Sequence, residues 1–249
     1  MTKAARGAGL VAATLATLVG IALLIGLGVW QLHRKVWKET LIAAMTARLD
    51  RAPQPLPPPA QWSALTQGAD EFRRVTFTAD FLPGEQALVY APGSALRTDI
   101  KGPGHFVFAP ARLADGRIVV VDRGFVPLAG KDDATARAPA APQGPVTIVG
   151  YLRWPEQRGM FAPADDVKRN TWFVRDPAAM AAAHHWPTVA PFYVDQEAPV
   201  PPGGLPLPGR IVVNLPDNHL QYAITWFGLA GALAGVYGVW LYGRLRPPA

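Results

Sequence analysis

The 249-residue chain has no cysteine. Disulfides, thiolate catalysis, Cys-based zinc sites and covalent c-type haem attachment are therefore excluded. An oxidising compartment such as a periplasm is compatible with that absence. Charge is scarce as well, and residues 7–32 and 218–243 contain no Asp, Glu, Lys or Arg. Common enzyme signatures are missing: no G-x-S-x-G, no Walker loop, no H-E-x-x-H and no dinucleotide fingerprint after a strand. Without a nucleophile or metal motif, the chain is not expected to be an enzyme. No repeat of about 20–50 residues is visible.

Each uncharged stretch is 26 residues long, and about 20 apolar residues in a helix cross a bilayer core. A helix also satisfies its own backbone in lipid. The first run is longer than the apolar region of a signal peptide and passes into "GLGVWQLHRKVWKE" without an A-x-A site, so a retained anchor is expected. No Arg-rich, Ser-rich transit segment precedes it, which favours a bacterial inner membrane over a mitochondrial precursor. The formal charge of +6 does not point to nucleic acid. Lys3, Arg6, Arg244 and Arg246 lie outside the spans, and the region between holds 20 basic against 18 acidic residues. Positive tails place both termini in the cytoplasm, although Arg34, Lys35 and Lys38 crowd the far end of the first span. The expected layout is a tail at 1–7, a transmembrane helix at 8–32, a periplasmic β-rich domain at 33–217, a transmembrane helix at 218–243 and a tail at 244–249.

Val36, Leu41, Ile42, Met45 and Leu49 recur at near-helical spacing, so the first helix is expected to continue beyond the membrane. Prolines in "RAPQPLPPPAQW" stop it and favour an extended linker. "RVTFTADF" alternates as a half-buried strand, and Pro83-Gly84 separates it from a strand in "QALVY". "HFVFAPARL" and "RIVVVDRGFVPL" flank Ala114-Asp115-Gly116, a hairpin signal. "VTIVGYLR", "NTWFVRD" and "PFYVDQ" are further strands. "DPAAMAAAHHW" reads as a helix capped by Asp176 with Pro177 in its first turn. The fold class is two transmembrane helices flanking a mostly β (α+β) domain, a curled antiparallel sheet or small barrel.

Asp132-Asp133 and Asp165-Asp166 read as loop charge. His184-His185 are adjacent, so they do not share a helix face. The membrane entrances say more. Trp30 and Trp37 bracket the exit of the first span, and Tyr222 and Trp226 the entrance of the second, as interfacial aromatics do. In "NHLQYAITWF", His219, Tyr222, Ala223 and Trp226 share one face. Ionisable residues in membrane segments usually face a partner helix or cavity, and neutral imidazole is an axial ligand for haem iron. A histidine simply hydrogen-bonded at the interface is the other reading. Ala12, Ala16 and Gly20 form one small-residue stripe; Gly231 and Gly235, with Gly228 and Gly238, form another. Such surfaces suit close packing of the two spans or of a partner.

"LGVWQLHRKVWKETLI", "VVVDRGFVP", "VGYLR", "PFYVD" and "NHLQYAITWF", in that order, resemble the Surfeit locus protein 1 family, assembly factors of haem–copper cytochrome c oxidase. The family's central motif more often reads Asn-Arg-Gly-Trp where this chain has Asp122, Arg123, Gly124 and Phe125. The resemblance implies help in building oxidase subunit I, beside the haem A synthesis machinery, by handling haem A. It implies His219 as the iron ligand, with Tyr222 and Trp226 beside it. Arg34 and Lys35 are candidates for the porphyrin propionates, and His33 is the rival ligand. A structural membrane chaperone that steadies nascent subunit I without binding haem is the alternative.

Overall fold

The computed structural model describes residues 3–94, 96–97, 99–128, 138–212 and 217–246, with side chains from residue 9 onward. The side chains of Lys3 and Arg6 and the Asp132-Asp133 loop lie outside the described residues. The chain forms two compact units: the apolar helices, up to Ala43 and from 217 onward, and a β domain that begins at Ala44.

Helix α1 (Lys3–Leu49) runs unbroken from the first apolar stretch into the polar segment after it, as the spacing predicts. It contains no proline, and it ends where Asp50 N–H closes on the Thr46 carbonyl and Pro53 follows. Leu49 is buried and Ile42 and Met45 half-buried, but Val36 and Leu41 are exposed. Helix α4 (His219–Leu245) carries the second stretch. Both helices are long and apolar enough to cross a bilayer. Their most apolar windows are 0% and 6% buried in the protein, so neither is the core helix of a soluble domain.

The two helices pack through part of the small-residue pattern only. A Cβ on Gly28 would lie 2.5 Å from the Phe227 ring, and one on Gly20 would lie 3.1 Å from Leu233. Ala223 and Ala230 are buried, and the Thr14 and Tyr237 hydroxyls hydrogen-bond. Ala12 and Ala16 are exposed, and Gly228, Gly231, Gly235 and Gly238 have nothing within 4 Å of an added Cβ. The G-x-x-x-G stripe therefore does not pair these helices. Its four-residue spacing continues around a face that α1 does not cover.

Eight strands are present among the described residues: β1 (Gln54–Pro55), β2 (Arg74–Phe81), β3 (Ala87–Ala91), β4 (Gly104–Arg112), β5 (Ile118–Pro127), β6 (Pro145–Arg153), β7 (Thr171–Trp172) and β8 (Val189–Ala198). Five of them close into a barrel in the order β2-β6-β8-β5-β4. The last seam, β4 to β2, is short, with Asp80 opposite Arg112 and Phe81 opposite Ala111. The expected strands and the small barrel are present, but not every pairing is antiparallel: β5 and β8 run parallel. Five strands in a ring cannot alternate direction all the way round, so closure forces at least one parallel seam. Numbered within the barrel, the order is 1-4-5-3-2, the Greek-key arrangement of the OB-fold.

The barrel interior holds Val75, Ala79, Phe81, Ala109, Ala111, Val119, Val121, Ile148, Leu152, Phe192 and Val194. On the opposite face of β4, β5 and β8, the residues Phe106, Phe108, Val120, Phe125 and Tyr193 form a second core with β3, β7 and helix α3 (Pro177–His184). Strand β5 is thus buried on both faces, which accounts for its continuous apolar run. The Asp-Gly hairpin joins β4 to β5, with Leu113 N–H donating to Arg117 O and Gly116 N–H to Leu113 O. Asp176 caps α3 by accepting from Ala178 and Ala179 N–H. The proline-rich linker is not wholly extended. Residues Pro59–Ala64 form a 3-10 turn, Gln67–Asp70 form the one-turn helix α2, and Trp62 packs edge-on against Phe192 at 5.3 Å and joins the barrel core.

Candidate functional site

The polar mouth of α4 sits beside the α1 residues of "GVWQLHRK", within the helix unit. Asn218 occupies the N-cap position but makes no side-chain cap. Asp217 caps the turn instead, its carboxylate accepting from His219 N–H at 3.0 Å. A carboxylate there also suits the positive end of the helix dipole. The first turn of α4 is therefore held in place, and His219 with it.

The His219 ring is half-buried and meets Gln31 of α1, with Nδ1 2.7 Å from Gln31 Oε1. An amide oxygen only accepts, so Nδ1 carries the proton. In the neutral ring that leaves Nε2 with its lone pair. Nε2 has no hydrogen-bond partner among the described residues. A ligating histidine commonly donates its second N–H to a carbonyl or carboxylate, which fixes ring and tautomer. The donor set present thus fits a single imidazole ligand to haem iron. Among the described residues no group of three His, Asp or Glu side chains converges as a metal cage.

The remaining candidates are placed less uniformly. Trp226 is half-buried and lies two turns along α4 from His219, and Ala223 between them is buried. Tyr222 is turned outward, with 55% of its surface exposed, so the structure puts it at the rim. Lys35 is bound to Glu39 at 2.5 Å, which holds its ammonium above its ordinary pKa. The Arg34 guanidinium lies over the Trp37 ring at 4.0 Å. The Arg34 charge is exposed, whereas half-buried Lys35 is already paired with Glu39, itself exposed. His33 is exposed and has no hydrogen bond or ion pair among the described residues.

Gln31 is the residue that sequence reasoning missed. Its signal was present: one amide inside an otherwise apolar span, where an unpaired polar group is costly. What the sequence lacks is the pairing partner, which comes from 188 residues away.

The SURF1 family profile matches residues 18–231, most of the chain. A SURF1-like protein of Monosiga brevicollis is 35% identical over 250 aligned positions, covering 97% of this chain and 90% of its own length. Surfeit locus protein 1 of Takifugu rubripes is 34% identical, covering 83% of this chain and 88% of its own. Surfeit locus protein 1 of Homo sapiens is 32% identical, with 83% and 70% covered. Identity of this extent, through both apolar helices and the barrel between them, places the chain in the SURF1 family.

Proposed function

We propose that this protein assists the assembly of cytochrome c oxidase and that it holds haem A in transit to subunit I, receiving it from the haem A synthesis machinery. Family membership supports the assembly role. The hydrogen bond from His219 Nδ1 to Gln31 carries the haem reading, because it orients one ring and leaves Nε2 free as a ligand. Haem A is cargo here. A single imidazole on the rim of a helix pair binds reversibly, and handover needs that. Trp226 offers an apolar wall beside the ring, and Arg34 and Lys35 offer charge for propionates. The excess positive charge of the tails supports cytoplasmic termini, and the β domain then faces the periplasm of a bacterial inner membrane.

The test is the visible spectrum of protein purified in detergent from cells making haem A. His219→Ala should abolish or strongly shift the Soret band while the chain still inserts in the membrane. Gln31→Leu should keep the ligand but lower haem affinity about 10–100-fold, as loss of an orienting partner does. His33→Ala should leave the spectrum unchanged. If the His219→Ala protein carries haem with the same spectrum and occupancy, His219 is not the ligand. If the wild type carries none, the structural chaperone is the better account.

A further inference from the structure

Barrels with the OB-fold order take ligands on the face of their second and third strands and in the loops from first to second and fourth to fifth. In this chain those strands are β4 and β5, and those loops run from 82 to 103 and from 154 to 188. They are not bare connections. They fold back as β3, β7 and α3 and roof the face. The roof leaves a cavity of about 340 Å³ between its two arms. Tyr90 comes from the first arm, Phe173 from the second and Phe106 from β4, and Tyr90 and Phe173 meet edge to face at 6.0 Å.

Three arginines line this cavity, and two of them are short of acceptors. Arg97 is buried and well bound: it forks Asp99 and donates to the Leu207 and Pro208 carbonyls. Arg153 is also buried, yet its one hydrogen bond among the described residues is from Nε to Glu71, with the Asp195 carboxylate at 3.7 Å. Arg175 donates through Nη1 to Glu156, and its buried Nε has no partner. Each guanidinium carries five N–H donors, and Nη2 of both, with Nε of Arg175, makes no hydrogen bond among the described residues. The Arg175 Nε is buried, and a buried donor left without an acceptor is destabilising. Glu156 and Asp195 line the cavity too, and Asp99 and Glu71 pair with Arg97 and Arg153, so the site has no net positive charge and offers an anion open donor positions instead.

We propose that this cavity binds a small monocarboxylate with a flat apolar body. The carboxylate takes the open Nε–Nη2 edge of Arg175, a geometry that guanidinium favours, and Nη2 of Arg153. Its body lies among Tyr90, Phe106 and Phe173. The site is in the β domain and owes nothing to His219, so it stands or falls apart from the haem reading.

The probe is 4-fluorobenzoate, followed by fluorine NMR against the full-length protein in detergent. Its line should broaden on addition of protein and sharpen again with excess benzoate. The equal-shaped cation 4-fluorobenzamidine should not respond to benzoate. Arg175→Gln should weaken 4-fluorobenzoate binding at least about tenfold, the loss of one charge-assisted pair. Ser94→Trp places an indole on the cavity lining from a loop and leaves every charge in place; it should block binding too. Lys168→Gln, an exposed change outside the cavity, should do nothing. Broadening that is equal in the wild type and Ser94→Trp proteins is partition into detergent and overturns the proposal, as does no broadening at all.

Discussion

Replacing Gly124 by alanine should damage the barrel far more than the same change at Gly84. Gly124 has φ +116°, and a Cβ there would lie 2.3 Å from the Leu207 carbonyl carbon and oxygen and 2.5 Å from Pro208 N. These are backbone atoms, so no side-chain rotation relieves the clash. The next residue, Phe125, exchanges two hydrogen bonds with Leu207, at 3.0 Å and 2.8 Å. A non-glycine residue at such a φ costs about 1–3 kcal/mol. Opening the bridge removes two hydrogen bonds worth about 1 kcal/mol each. The total is about 3–5 kcal/mol. For a domain of this size that lowers Tm by roughly 6–20 °C, at about 2–4 °C per kcal/mol. Gly84 has φ +72° and nothing within 4 Å of an added Cβ. Its alanine variant bears the backbone strain alone, about 1 kcal/mol and about 2–4 °C. Thermal unfolding of both variants, followed by near-ultraviolet circular dichroism, compares them directly. If the two midpoints fall within about 2 °C of each other, contact with the Leu207 backbone does not make Gly124 special.

Asp122 is buried, and burial first, then the Asp195 charge, raises its pKa well above the ordinary carboxylate value. A raised folded-state pKa favours folding below the unfolded value, near 3.9, and that advantage is lost as pH rises through the folded value. Asp122→Asn is neutral throughout, so its Tm relative to the wild type should be higher at pH 8 than at pH 5; a pH-independent difference refutes this. In the membrane unit, Gly28→Leu should drive α1 and α4 apart, because its side chain enters the Phe227 ring, whereas Gly231→Leu should not. In this cysteine-free chain, oxidative cross-linking of Gln31→Cys with His219→Cys reads the pairing. It should fall several-fold with Gly28→Leu and hold with Gly231→Leu.

The sequence by itself determined the elements. Two uncharged stretches specify helices for lipid, alternation in "RVTFTADF" specifies a strand with Val75, Ala79 and Phe81 inward, and Asp115-Gly116 specifies the hairpin. These are local effects of period, turn chemistry and backbone freedom, so neighbouring residues suffice to state them. His219 was legible for a similar reason, as an ionisable group at the mouth of an apolar helix. Only tertiary structure decided which surfaces meet. The ring of five strands required the parallel β5–β8 seam, and the sequence of either strand is silent on that. Packing of α1 on α4 chose Gly20 and Gly28 over the G-x-x-x-G stripe, because contact depends on which helix face the partner covers and not on residue size alone. The same packing brought Gln31 to His219 and turned Tyr222 outward. Arg153 and Arg175 sit 22 positions apart in sequence and on separate elements; they share a cavity because β6 and the arm after it close over one barrel face.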